Sequence, residues 1–387
     1  MNKKELELYI HIPFCVRKCS YCDFLSAPAT EQTREAYMAA LFAEIGGRAK
    51  DYSDRTVTSI FIGGGTPSLL SGEQIGQLMD RIREQFAMAQ DAEITMEVNP
   101  GTVSAEKLRN FYTAGINRLS IGMQSAQAEE LKNLGRIHDF EGFCQVYREA
   151  VEAGFTNINV DIMSGLPGQT LASYRDTLEK VLHLEPMPQH ISAYSLIVEE
   201  GTPFAAMAER GELPLPEEET ERAMYEETIE VLAKYGFHRY EISNYARDGY
   251  ECRHNVGYWI RRDYLGFGIG AASLIDNVRF QNEKSLGTYL AHPLESREEE
   301  QTLTVQDRME ETMFLGLRLT RGVSCVDFAE QYGRTVEEVY GEVIARNVAD
   351  GLLTVTERKE NQKKDRFLAL TKRGLDLSNY VMAQFLF

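Results

Sequence analysis

Tyr9-Ile10-His11-Ile12-Pro13-Phe14-Cys15-Val16-Arg17-Lys18-Cys19-Ser20-Tyr21-Cys22 closes a strand-like run and delivers three cysteines with the spacing C-x3-C-x2-C. Upstream, Leu6, Leu8, Ile10 and Ile12 share one face, and Glu7, Tyr9 and His11 share the other, as a strand requires. Three thiolates on one short loop can each hold a different iron of a cubane cluster, leaving the fourth iron open to a substrate. Structural zinc takes four ligands, usually as two pairs, and no second pair follows. His11 is the candidate for a fourth ligand in that alternative. Cys144, Cys252 and Cys325 are scattered and read as structural, so no disulfide framework is expected.

Outward from this loop, strand-like runs at 6–12, 57–62, 93–98, 118–123, 157–163 and 190–198 alternate with helical spacing at 33–50, 72–86, 104–114, 140–153 and 171–184. Strand then helix, repeated, predicts parallel strands joined by right-handed crossovers. The expected fold class is α/β, a barrel or a large part of one over residues 5–200. The strands are polar on one face: Glu93, Thr95, Glu97 and Asn99; Ser120, Gly122 and Gln124; Asn157, Asn159 and Asp161. A closed barrel packs its interior with Val, Ile and Leu. Burying so many polar groups without partners costs roughly 1–3 kcal/mol each. A lumen filled by a polar ligand resolves the conflict.

The chain has 387 residues, 43% hydrophobic and 26% charged, with 30 Gly and 11 Pro, a globular mix expected to form two or three domains. The expected division is a barrel with a trailing acidic helix (1–235), a connecting strand and Gly- and aromatic-rich segment (236–300), and a small cap (301–387). The cap reads as helices at 305–317, 325–332 and 336–350, then a hairpin whose tip runs through Asn361, a winged-helix-like α+β unit. It holds 12 basic and 13 acidic residues, and the whole chain carries −18. Such a balance repels phosphate backbones, so a packing cap is expected and nucleic acid is not. With no run of roughly 18 apolar residues and no secretory segment, stable membrane insertion is not expected and a cytoplasmic location is.

The cysteine spacing resembles the radical SAM enzymes, which bind a [4Fe-4S] cluster through C-x3-C-x2-C. Tyr9-Ile-His-Ile-Pro-Phe-Cys15 is similar to the branch containing oxygen-independent coproporphyrinogen III oxidase (dehydrogenase). The resemblance spans essentially the whole chain and implies a partial (β/α)6 barrel. It also implies that Cys15, Cys19 and Cys22 hold the cluster, whose open iron chelates S-adenosylmethionine (SAM). One-electron reduction would then yield a 5′-deoxyadenosyl radical, drawing on a flavodoxin- or ferredoxin-type reductant. Tyr9, Tyr21, Gly64, Gly65, Thr66, Glu97, Gln124, Arg136 and Asp161 match family positions around SAM. Glycines suit the close approach of backbone to a ligand, and Arg suits a carboxylate.

Two features depart from the dehydrogenases. Cys22 is followed by Asp23 and Phe24 rather than by another cysteine two residues on, and only about five residues precede the first strand. Both match the heme-chaperone subgroup, the HemW proteins, as does His254-Asn255-Val256-Gly257-Tyr258-Trp259. The resemblance implies heme as ligand, an unidentified heme-acceptor protein as partner, and His254 as the candidate axial ligand, since imidazole binds heme iron well. The alternative is radical decarboxylation of porphyrinogen propionates. The radical machinery looks complete, but dehydrogenase activity is not expected.

Overall fold

The computed structural model describes residues 3–295, 297–360 and 363–386. Six strands, β1 (Lys4–Ile12), β2 (Arg55–Gly64), β3 (Ala87–Val98), β4 (Arg118–Gln124), β5 (Ile158–Ser164) and β6 (His190–Ser195), lie side by side in parallel. Helices such as Glu31–Arg48, Gly72–Gln85 and Phe140–Ala153 connect them. The alternation determines what faces what: Leu6, Leu8, Ile10, Ile12, Ile60, Ile62, Met96, Leu119, Ile121, Val160 and Ile162 are fully buried in one apolar core with the helices' inner faces. The strands' other faces line a polar lumen.

Local chemistry sets the helix starts. Ser71 and Gln74 form a reciprocal capping box before Gly72–Gln85, and Asp139 caps Phe140–Ala153, which ends on Gly154 at φ +110°.

The run expected at 190–198 stops at Ser195, and the connecting strand expected after residue 236 is a tight antiparallel pair, β7 (His238–Arg239) and β8 (Asn244–Ala246), beside β6. On the far side of β1, where the sequence predicts a connecting segment, lies a seventh parallel strand, β9 (Tyr264–Phe267). Antiparallel strands β10 (Ala272–Ile275), β11 (Val278–Asn282) and β12 (Arg297–Thr302) follow, so residues after 236 extend the sheet at both edges. The six-repeat partial barrel therefore carries additional strands at both edges. No described helix is long and apolar enough to cross a membrane.

The C-terminal unit packs helices Val305–Gly316, Cys325–Tyr332 and Val336–Ala349 on a small sheet of β13 (Val323–Ser324), β14 (Leu353–Glu360) and β15 (Lys363–Leu370). Its own core includes Met313, Leu317, Phe328 and Phe385. Asn361, at the expected hairpin tip, lies outside the described residues. The unit is clamped to the barrel by Glu311, which is buried and pairs with Arg261 at 2.9 Å and Arg279 at 2.7 Å. The Arg318 guanidinium sits 4.3 Å from the centre of the Trp259 ring.

Candidate functional site: a cysteine loop over a polar lumen

The cysteine loop leaves the end of β1 and is tied down on three sides. Cys15 N donates to Ala27 O (3.2 Å), Ser20 N to Leu134 O (3.1 Å), and Phe204 N to Ser20 O (3.0 Å). Arg17 Nη2 donates to Gly135 O at 2.6 Å. His11 closes the loop's far end: Nε2 lies 2.9 Å from Leu25 O and Nδ1 lies 3.0 Å from Tyr9 Oη. Both ring nitrogens are thus engaged away from the thiols, which removes His11 as a fourth zinc ligand. Among the described residues, no three His, Cys, Asp or Glu side chains are placed to hold a single metal ion. The thiols are half-buried and free, and all three line one cavity. Thr66 Oγ1 lies 3.5 Å from Cys15 Sγ, and Arg136 Nη1 3.9 Å from Cys19 Sγ. A donor set too spread for one ion, but gathered at one mouth, fits a multi-iron cluster.

The cavity has a volume of about 420 Å3 and runs from this loop down the lumen. Tyr21, Gly64, Gly65, Thr66, Glu97, Gln124, Arg136 and Asp161 all line it. Gly64, at φ +114°, turns its N–H onto Glu97 Oε2 at 3.0 Å. A Cβ at Gly64 would come within 2.6 Å of the His11 ring, and one at Gly65 within 2.8 Å of Phe14 O. These glycines are therefore required by close approach. Burial first, and then the Asp161 charge, push the Glu97 pKa up to about 8 against the pull of the Gly64 amide. Burial also raises Asp161, opposed by hydrogen bonds from Asn159 and Ser120. Arg136 donates from Nη2 to Gly122 O at 2.7 Å, while its buried Nε has no partner among the described residues. Gln124 sits at φ +67°, a conformation rare outside glycine. An orphaned guanidinium nitrogen, a strained amide and a proton-holding carboxyl around one cavity fit a ligand carrying both carboxylate and ammonium.

Two candidates lie elsewhere. Tyr9 does not line the cavity; its hydroxyl is taken by His11 and its ring packs near Phe61. His254 lies at the opposite end of the lumen, 1% exposed, on the helix Arg253–Trp259 that plugs the barrel from below. Its Nδ1 is 2.8 Å from Ser59 Oγ, its ring stacks on Phe61, and its Nε2 has no partner among the described residues. Glu7 Oε2 lies 3.9 Å from Nδ1. Burial pushes His254 down to about 3, and pushes Glu7 up to about 8 against the pull of Arg262, 3.2 Å from its Oε1. Glu93 accepts from the backbone amides of Arg253 and His254, both at 3.1 Å, satisfying the start of the plug helix.

The sequence reading missed Arg118, Ser192, Tyr194 and Asn255, which also line the cavity. Arg118 carried a usable signal, because it shares the strand parity of Ser120, Gly122 and Gln124.

The Radical SAM superfamily profile matches residues 9–181, and the HemN C-terminal domain profile matches 303–377. The protein "Heme chaperone HemW" of Bacillus subtilis (strain 168) is 38% identical over 385 residues, covering 98% of each chain. The chain belongs to the HemW family. The HemW protein of Escherichia coli K12 is 38% identical, covering 90% of this chain and 92% of its own. Among solved structures, coproporphyrinogen III oxidase (HemN) from Escherichia coli, described as a radical SAM enzyme, superimposes with a TM-score of 0.84. It is 28% identical and covers all of this chain and 91% of its own. The HemW relatives are thus more nearly identical to this chain, at 38%, than HemN is, at 28%, consistent with Asp23 and Phe24 after the third cysteine. Membership of the radical SAM superfamily implies a [4Fe-4S] cluster and SAM.

Proposed function

We propose that this chain is a heme chaperone that binds a [4Fe-4S] cluster, SAM and heme, and hands heme to an acceptor protein. The observation that carries the reading is near full-length similarity to proteins named heme chaperone, at 38% identity over 98% of the chain. Cys15, Cys19 and Cys22 would hold the cluster, which when bound supplies one electron at a vacant iron. Glu97, once ionised, would pair with the SAM ammonium, and Arg136, through its free Nε, with the carboxylate. Gly64, Gly65 and Thr66 would bring backbone against the methionyl part, with Gln124, Asp161 and Tyr21 around the ribose and adenine; Tyr9 would act through His11, beneath that layer. Cytoplasmic residence and a flavodoxin- or ferredoxin-type electron donor accompany this reading.

His254 is the proposed axial heme ligand. Its neutral imidazole and unpartnered Nε2 suit iron, but its enclosure means that coordination requires Arg253–Trp259 to leave the lumen. The test is anaerobic reconstitution followed by heme titration of wild type and His254→Ala. A stoichiometric Soret band in wild type, weakened in the variant, supports both the function and the ligand. Conversion of coproporphyrinogen III to protoporphyrinogen IX, without a heme complex, would refute the chaperone reading.

A further inference from the structure

The floor of the lumen carries a positive charge with nothing to hold. Arg118 opens β4 and is 2% exposed. Its one hydrogen bond among the described residues is a long one, Nη1 to Thr95 Oγ1 at 3.5 Å, and its buried Nε has none. No carboxylate of the described residues pairs with it within the 4.0 Å of an ion pair. The two carboxylates that act on it electrostatically, Glu93 and Asp161, are engaged elsewhere. Glu93 accepts from the plug-helix amides, and Asp161 from Ser120 and Asn159. A guanidinium carries a planar fork of donors and is always charged, so leaving it buried and idle is unfavourable.

A second idle group faces the same space. Asn255 lines the cavity from the plug helix, and its side-chain amide makes no hydrogen bond among the described residues. Arg118 and Asn255 come from a strand start and a helix far apart in sequence, yet both bound one cavity. In the signature segment His254 is turned into packing, whereas its neighbour Asn255 reaches the lumen.

The required ligand group is anionic, planar and singly charged. A carboxylate matches the guanidinium fork in two parallel hydrogen bonds and leaves an oxygen lone pair for the Asn255 amide. A dianionic phosphate would meet Glu93 and Asp161 across the same floor. Above it the walls include Phe61, Met163 and Leu196, which suit an apolar body. We propose that Arg118 and Asn255 form a carboxylate-binding subsite at the floor of the lumen, for the acid end of an apolar-bodied molecule. The subsite lies deeper than the Arg136 position assigned to SAM. It rests on the lumen being a ligand site with the helix Arg253–Trp259 in place, and on the heme reading only for one of its two sources of carboxylate: a propionate of heme held before His254 coordinates it, or a free organic acid.

The test uses the reconstituted, SAM-loaded protein and calorimetric titration with propionate and with its uncharged isostere propionamide. Propionate should bind at least about tenfold more tightly than propionamide, the scale of a charge-assisted hydrogen bond. Arg118→Met and Asn255→Leu should each erase that preference. If Arg118→Met does not fold, Asn255→Leu and the propionate–propionamide pair on wild type carry the test. Heme and heme dimethyl ester separate the sources. An esterification penalty in wild type that vanishes in Asn255→Leu assigns the acid end to heme. Equal binding of heme and ester, with propionate still held, assigns it to a free organic acid. Propionate binding no better than propionamide, or with unchanged affinity in the variants, overturns the subsite; Arg118 is then only a counter-charge for Glu93 and Asp161. Absence of any Soret band would count against the heme reading alone, since the propionate titration does not involve heme.

Discussion

The Gly64 amide donates to Glu97 Oε2 across 3.0 Å, the one hydrogen bond that the Glu97 carboxyl receives among the described residues. This single donor does not offset burial and the Asp161 charge, so the carboxyl holds its proton up to about pH 8 instead of 4.5. Pairing with an ammonium ligand requires the ionised form. SAM binding at pH 7 should therefore release a proton, and calorimetry in buffers of differing ionisation enthalpy measures it. Glu97→Gln should abolish that release and weaken SAM binding. A proton count unchanged by the substitution would remove Glu97 from the ammonium site.

The same shift has a consequence for the ligand-free protein. Between pH 4.5 and about 8 the native state binds more protons at Glu97 than the unfolded chain does, so stability falls as pH rises through that window. Glu7, raised to about 8 mainly by burial, acts in the same direction. Thermal melts of Glu97→Gln should lose part of the decline expected of wild type between pH 5 and 8. The slope that remains belongs in part to Glu7.

Gly257 fixes the plug helix against β1. A Cβ there would lie 2.0 Å from Glu7 Oε1, a buried carboxyl with no room to retreat. Gly257→Ala should push Arg253–Trp259 outward and destabilise the closed barrel by about 1–3 kcal/mol, the usual range for overpacking. Fluorescence of Trp259, the chain's single tryptophan, reports the displacement. If heme binding needs the helix to leave, the same variant should bind heme faster than wild type in stopped-flow mixing.

Glu311 joins the C-terminal unit to the barrel through Arg261 and Arg279. Glu311→Ala leaves Arg261, whose side chain is 3% exposed, without its partner. Breaking a buried pair from one side typically costs about 3–5 kcal/mol. The variant should show earlier proteolytic cleavage near residue 303, where the barrel ends, with the cluster's absorption retained.

Much of this architecture was legible because a polar lumen makes strands alternate. Leu6-Glu-Leu-Tyr-Ile-His-Ile12 and Asn157-to-Asp161 declare which face meets helices and which meets ligand. Strand β9 was not legible: four residues among glycines and aromatics become a strand only by pairing with β1, some 250 residues earlier. Glu241-Ile-Ser243 hid a turn inside what read as one strand, because no glycine or proline marks it. At the site, the thiols and the lumen carboxylates followed from spacing and parity. Arg118 shares that parity, but a basic residue heading a strand ordinarily reads as solvated. Asn255 was overshadowed by His254, although successive helical residues point about 100° apart and need not share a task.

The central claim is that Cys15, Cys19 and Cys22 leave one iron free for SAM beside Glu97 and Arg136. Electron paramagnetic resonance of the reduced, anaerobically reconstituted protein, recorded with and without SAM, addresses it directly. The account predicts a reduced [4Fe-4S] signal whose g-values move when SAM is added, and an unmoved signal in the Glu97→Gln, Arg136→Met double variant. A wild-type spectrum indifferent to SAM, or bound zinc in place of iron, would contradict it.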